Sequence, residues 1–247
     1  KSIDARKQVI IGVVNAAKIV NMRRVPLLGE AVLQSNLVLA DGMAVVWASR
    51  LLRQPLPERV AGIDLFEQLL KLANQRGYAV YLLGASQDVL SRVVDHVISK
   101  YPNVRVVGAR NGYFKDDQAE QLSQEIRDAQ PDMVFLGMTS PKKEIFLARW
   151  AAIMKVPVCH GVGGSFDVLG GKVKRAPLSW QRFGFEWFYR VVQEPRRMWR
   201  RYLVTNSVFI GMFLREFVHP APPLKLRPPN LNASEGDADR ISVPLSK

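Results

Sequence analysis

Cysteine is almost absent: Cys159 is the only one in 247 residues. An intrachain disulfide is therefore impossible, and so is a cysteine-rich metal site. The apolar neighbours of Cys159 suit a buried thiol better than a nucleophile. Histidine is scarce too, and His96, His160 and His219 are too scattered to suggest a zinc site. No apolar run approaches the roughly 20 residues that span a bilayer, and no signal-peptide pattern stands at the start. The chain opens on Lys1 rather than Met, which leaves room for a preceding segment. No G-x-G-x-x-G follows the first apolar run and no G-x-x-x-x-G-K-[ST] occurs anywhere. Both absences weigh against a dinucleotide oxidoreductase and a P-loop NTPase.

Acids are the other shortage. Thirty-five Lys and Arg against 22 Asp and Glu leave a net charge of +13, which implies an acidic partner. The imbalance is uneven. Between Lys172 and Arg227 twelve basic residues face three acids, Glu186, Glu194 and Glu216, so +9 of the +13 lies there. The first two-thirds resembles an ordinary folded domain, with 48% hydrophobic residues overall and length enough for a real core.

Within that first part, short β-branched runs alternate with amphipathic stretches. Strands are predicted at 8–14, 37–40, 79–83, 104–107, 132–136 and 156–160, each followed by a helix-like segment. This alternation predicts an α/β fold with a Rossmann-like, doubly wound, mostly parallel sheet. Ligands of such sheets bind beyond the carboxyl ends of the strands. Those ends carry Asn15, Asp41, Gly84, Tyr113, Gly137 through Lys143, and the Gly161 loop to Asp167. The core is expected over 1–177, a basic, aromatic helical appendage over 178–222, and a disordered tail over 223–247.

The most informative stretch is Gly161 to Pro177. Its glycines, Gly163 and Gly164 among them, let backbone amides approach an anion closely. Asp167 adds a fixed acceptor, and Lys172, Lys174 and Arg175 add positive charge. Such a pattern suits a ligand with a hydrogen-bonding ring at one end and phosphates at the other. Taken alone, it fits a tight loop with solvated charges equally well. Beyond it, Trp180 to Tyr189 are crowded with aromatics, and Pro195 is placed to open a helix. Trp199, Tyr202, Leu203, Ile210, Phe213 and Phe217 form a stripe on that helix, with Arg196, Arg197, Arg200 and Arg201 mostly off it. A stripe of this kind is usually core; the dense arginines favour an interfacial helix.

The motifs also recur together in one family. Asp41-Gly42, Glu58-Arg59-Val60-x-Gly62-x-Asp64, Leu83-Gly84, Gly112-Tyr113-Phe114, Ser140-Pro141-Lys142-x-Glu144, the Gly161–Asp167 segment, Arg175-Ala176-Pro177, Glu186-Trp187-x-x-Arg190 and Glu194-Pro195-x-Arg197-x-x-Arg200-x-Tyr202 resemble, in this order, the WecG/TagA/CpsF glycosyltransferases. The resemblance covers roughly residues 8 to 217. It implies an inverting transfer of a sugar from a UDP-sugar, of N-acetylmannosamine or glucose type, to a polyprenyl-diphosphate-linked saccharide. It also implies a peripheral enzyme at the cytoplasmic face of the bacterial inner membrane, making exopolysaccharide or another surface polysaccharide.

Carried over by position, Asp41 matches the catalytic base, although an aspartate before glycine also suits a helix cap. Asp167 matches the acid that reads uracil. Tyr113 lines the donor pocket, and Asn15, Gly84, Gly137, Lys143, Gly163 and Gly164 surround it. Arg59, Arg190, Arg197 and Arg200 match arginines suited to the diphosphate and leaving group, since guanidinium binds phosphate bidentately. They would stand in for a divalent metal; the one Asp-x-Asp noted, Asp237-Ala238-Asp239, lies in the tail. No metal and no cofactor are expected. The chain departs from the family in having Lys143 where glutamine is usual, and in keeping only the asparagine of a Thr-Pro-Asn strand ending at Val13-Val14-Asn15.

Two other classes fit the charge. A basic nucleic-acid-binding protein would show affinity falling steeply with salt, but acids at the strand ends have no use there. A non-catalytic nucleotide-binding membrane scaffold would not need Asp41. The partners expected are the donor, the lipid-linked acceptor and an anionic membrane surface, without nucleic acid; a homo-oligomer stays open.

Overall fold

Six of the apolar runs pair into a single sheet, its inner strands at 79–84, 133–137 and 158–160 buried on both faces and its two edge strands, at 37–40 and 105–110, partly exposed. The computed structural model describes residues 1–177, 179–180 and 186–220. The strands are β1 (Val9–Val14), β2 (Leu37–Ala40), β3 (Ala79–Gly84), β4 (Arg105–Arg110), β5 (Met133–Gly137) and β6 (Val158–His160). Their order across the sheet is β2-β1-β6-β5-β3-β4, and every pairing is parallel. The sequence-predicted α/β, doubly wound class is the observed one.

Helices α1 (Ala16–Arg24), α2 (Pro26–Leu33), α6 (Ala119–Asp128) and α7 (Lys142–Met154) pack against one another on one face. The other face carries α4 (Gly62–Arg76), α5 (Gln87–Lys100) and α8 (Ser165–Leu169). The strand period of two divides the core accordingly. Val80, Leu82, Met133 and Phe135 face Phe66, Val93 and Phe166, while Tyr81, Leu83, Val134 and Leu136 face Leu122, Phe146 and Met154. Cys159 lies in the second of these clusters, fully buried, and burial pushes its thiol up to about 12.

Some boundaries differ from expectation. β6 starts at Val158, since Pro157 has no N–H to give to a central ladder. The segment after Asn15 forms two helices instead of one, because Val25 ends α1 in an extended conformation and Pro26 occupies the first position of α2. β4 runs on to Arg110, pairing Leu83 with Arg110 after a shift of register at Val80/Tyr81.

The short helix α3 (Met43–Leu51) follows β2, and α9 (Glu186–Gln193) and α10 (Pro195–Val218) lie in the C-terminal segment. Pro195 takes the first helical position of α10, as its missing N–H allows. α10 packs along α1, and Phe209 joins Ile19, Ala40, Val45 and Val46 in one apolar cluster. The tail expected to be disordered lies outside the described residues.

Candidate active site

Neighbouring strand ends send the chain to opposite faces. β1 leads to α1 and β5 to α7 on one side, whereas β6 leads to α8 and β3 to α5 on the other. The divergence opens the carboxyl edge of the sheet as a crevice.

At the β2–β1 edge, Asn15 caps α1, its Oδ1 accepting from the Lys18 N–H at 2.9 Å. The Asp41 N–H donates to the Val14 carbonyl at 2.7 Å, so Asp41 continues the β1–β2 ladder. Gly42 then turns with φ 147, and a Cβ there would stand 3.6 Å from the Asn15 Cβ. Asp41 is half-buried, and its Oδ2 lies 3.9 Å from the position of a Cβ on Gly62, at the start of the 15-residue α4. A helix N-terminus favours negative charge. Below it, His160 bridges β6 to two other elements, Nδ1 facing the Ile11 carbonyl at 3.3 Å and Nε2 the Gly62 carbonyl at 3.4 Å. Burial pushes this imidazole down to about 4, against the pull of those two carbonyls.

At the β6–β5–β3 edge, backbone meets backbone. Gly84 and Gly137 are paired in register, and a Cβ on Gly84 would stand 2.5 Å from the Gly137 carbonyl carbon. A Cβ on Gly137 would enter the Phe166 ring at 2.3 Å, so glycine lets α8 sit directly on β5. Val162 and Gly163 N–H groups both donate to the Leu136 carbonyl at 3.0 Å, and Gly112 donates to Ala85 at 2.9 Å. The result is a floor of glycine backbone with Tyr113 standing at its rim, 82% exposed. Lys142 holds the rim by donating to the Gly112 carbonyl at 3.1 Å and lying 4.2 Å from the Phe114 ring centre. Asp167 is on α8, with Lys172 Nζ 3.7 Å away. Its own carbonyl accepts from the Lys172 and Val173 N–H groups, which folds the basic stretch back over α8.

Between the two edges lies a buried cluster that sequence reasoning did not assemble. Glu144 Oε1 accepts from Lys18 Nζ at 2.7 Å and from Lys143 Nζ at 2.5 Å, and all three side chains are under 10% exposed. Lys18 Nζ also donates to the Val13 carbonyl at 2.5 Å. Glu144 Oε2 has no hydrogen-bond partner among the described residues. Burial and the neighbouring Lys18 push the Lys143 amine down to about 8. Burial would raise the Glu144 carboxyl, but the two ammoniums outweigh it and hold it down to about 2. The Lys143 stem runs under the glycine loop, 3.0 Å from a Cβ on Gly161, and its Nζ is 3.9 Å from a Cβ on Gly163. Lys143, expected at the donor, thus lies just beneath the floor with its amine on Glu144. The signal available was Lys18 itself, a lone lysine inside the apolar Ala16–Val20 stretch, and the acid beside Lys143.

The arginines come from the loop before α4 and from the segment after α8. Arg59 precedes α4, where the Val60 N–H donates to the Ala40 carbonyl at 2.9 Å, and its Nη1 pairs with Glu186 of α9 at 3.2 Å. Arg175 pairs with Asp64, in the first turn of α4, at 2.5 Å. Arg190 belongs to α9, and Arg197 and Arg200 to the first two turns of α10. Among the described residues no three His, Cys, Asp or Glu side chains form a metal-ligand set; the groups suited to a diphosphate are cationic.

The arrangement matches a known group over most of its length. The model of the glycosyl transferase WecG/TagA/CpsF family matches residues 1–222. The chain belongs to this family. Two curated relatives are similar in detail. An N-acetylglucosaminyldiphosphoundecaprenol N-acetyl-beta-D-mannosaminyltransferase of Bacillus subtilis (strain 168) is 41% identical over 169 residues, 68% of this chain and 65% of that protein. The protein of the same description from Bacillus spizizenii (strain ATCC 23059 / NRRL B-14472 / W23) is 40% identical over 175 residues, 70% of this chain and 67% of that one. The chain thus spans about two thirds of the length of the curated relatives it matches. The WecG/TagA/CpsF match covers both edges of the crevice and all of α9 and α10.

Proposed function

We propose that this protein is an inverting glycosyltransferase that moves a sugar from a UDP-sugar to a saccharide carried on a polyprenyl diphosphate. The observation that carries the reading is the separation of two chemistries along one sheet edge in a member of this family. Asp41 follows β2, the glycine loop and Asp167 follow β6, and only β1 stands between those strands. Two strand spacings are about 10 Å, a span suited to a nucleotide on one side and an acceptor hydroxyl on the other.

In the proposed step, Asp41 takes the proton of the acceptor hydroxyl as its oxygen forms a bond to the anomeric carbon. The bond from that carbon to the donor's phosphate oxygen breaks on the opposite face, and UDP leaves with the electron pair. One displacement inverts the anomeric configuration. Asp167 accepts from the uracil edge, and Tyr113 closes over the donor. Asn15, Gly84, Gly137, Gly163 and Gly164 line the donor's path, with the Lys143 charge beneath it. Arg59, Arg190, Arg197 and Arg200 meet the charge that grows on UDP. A donor of N-acetylmannosamine type is favoured by the two relatives, and the Lys143 departure keeps a glucose-type donor and an exopolysaccharide product within the reading.

The acceptor's lipid requires a membrane surface. No helix among the described residues is long and apolar enough to cross a bilayer. α10 instead exposes Trp199, Leu203, Ile210, Leu214 and Phe217, each 53–60% open, while Thr205 and Phe209 pack inward. That suits a helix lying in the headgroup region at the cytoplasmic face, beside its basic residues.

Purified protein, incubated with lipid-linked acceptor and a panel of UDP-sugars, should release UDP with one donor in an acceptor-dependent way. Acceptor-independent release alone, or none with any donor, overturns the proposal. Asp167→Ala should weaken UDP and UDP-sugar alike, by about 1.5–3 kcal/mol for one lost charge-assisted hydrogen bond. Calorimetry giving unchanged UDP affinity would return Asp167 to a structural role in α8.

A further inference from the structure

The α/β core carries an exposed apolar face of its own, separate from that of the C-terminal helix. α3 exposes Trp47 and Leu51, 50% and 58% open, and the loop after it exposes Leu56 at 37%. Trp47 and Leu51 are four residues apart and share a helix face, turned away from the buried Val45 and Val46. Arg50 and Arg53 are exposed beside them, and residues 42–57 contain no acid. The projection is built rather than loose. Ser49 Oγ donates to the Val46 carbonyl at 2.8 Å and accepts from the Leu56 N–H at 3.0 Å, which folds the loop back on the helix.

Val45 and Val46 share their apolar cluster with Phe209 of α10. The exposed sides of α3 and α10 therefore flank one cluster. Single exposed apolar residues are ordinary, but a tryptophan and leucines interleaved with arginines, free of acids, form a different pattern. Protein interfaces are enriched in tryptophan and arginine as well, so it is the lack of any acid over residues 42–57 that favours an anionic surface. At a bilayer the same mixture is favourable, because tryptophan sits at headgroup depth and arginine lays its stem on apolar surface while its head meets phosphate.

We propose that α3 and its loop are a second lipid-contacting element, which together with α10 seats the protein on an anionic bilayer. This inference rests on the membrane-surface reading above and extends it to the core. Its consequence is positional. α3 begins directly after Asp41 and Gly42, and its nine residues rise about 14 Å. Docking of that face on the bilayer brings Asp41, next to the helix start, close to the surface where the acceptor's diphosphate lies.

The test uses the full chain and sedimentation with vesicles of phosphatidylcholine, with and without phosphatidylglycerol. Trp47→Ser with Leu51→Ser, and separately Arg50→Glu with Arg53→Glu, should each reduce partition onto the anionic vesicles by about tenfold or more. Urea midpoints and UDP affinity should stay at the parent values, since these side chains face solvent. A Leu203→Ser, Ile210→Ser variant of α10 is measured in parallel. If it loses binding while both α3 variants sediment like the parent, α3 is not a docking element and the inference is overturned. If none of the variants loses binding, the membrane reading falls and takes this inference with it. Altered mass in solution with unchanged vesicle binding would mean that a second copy covers α3, which also overturns it.

Discussion

Asp41→Asn should lower sugar transfer by about 10²–10⁴-fold, the range set by loss of a general base, and leave UDP affinity unchanged. Asparagine keeps the shape, the backbone N–H to the Val14 carbonyl and the turn at Gly42. What changes is the ability to accept a proton at a carboxylate held beside the start of α4. Single-turnover measurement with lipid-linked acceptor separates the chemical step from product release. Turnover equal to the parent would remove Asp41 from chemistry and leave it as a turn residue. A fall in UDP affinity matching the fall in rate would place it on the donor instead.

The second large effect is on stability. Glu144→Gln should cost about 3–5 kcal/mol, the usual penalty for removing one partner of a buried ion pair. The loss leaves the Lys18 and Lys143 ammoniums together in a site under 10% exposed. Lys143→Met tests the same cluster from the other side. It leaves one cation with one carboxylate and should cost far less, or stabilise. The pH dependence follows from the shifts. The Glu144 carboxyl titrates near 4.5 unfolded and is held down to about 2 folded, so its contribution is complete above 4.5 and is lost as pH falls toward 2. Lys143 runs the other way: its folded value of about 8 lies below 10.5, so the protein gains stability as pH rises through that window. Urea midpoints against pH read both limbs, and Glu144→Gln should flatten the acidic one. A Glu144→Gln midpoint equal to the parent's would mean the cluster does not clamp α1 to α7.

Much of this was readable from residue order. Short β-branched runs and their glycine endings marked the strands, since period and propensity are local properties. Pro195 marked the start of α10 for the same reason. The boundary errors at Val25-Pro26 and Pro157 are also local, turning on which backbone N–H is missing. Lys143 shows the limit. Its place in the motif suggested a side chain reaching into the crevice, yet α7 carries its stem under Gly161, and only a neighbour 126 residues away in sequence accounts for the second cation on Glu144.

Residue order alone establishes the α/β class, the family and the concentration of positive charge after Lys172. Those depend on residue type at short spacing. Strand order was decided only by the tertiary structure: β6, last in the chain, inserts between β1 and β5. That insertion brings Asp41 to within two strands of the Gly161 loop and sets Glu144 against Lys18. Parallel strands need crossovers, and the helices that make them cover the faces without revealing which neighbours will pair. The exposed side of α3 is likewise a tertiary result. Along the chain the stretch reads only as helical, and packing around Phe209 buries Val45 and Val46 while leaving Trp47 and Leu51 in the open.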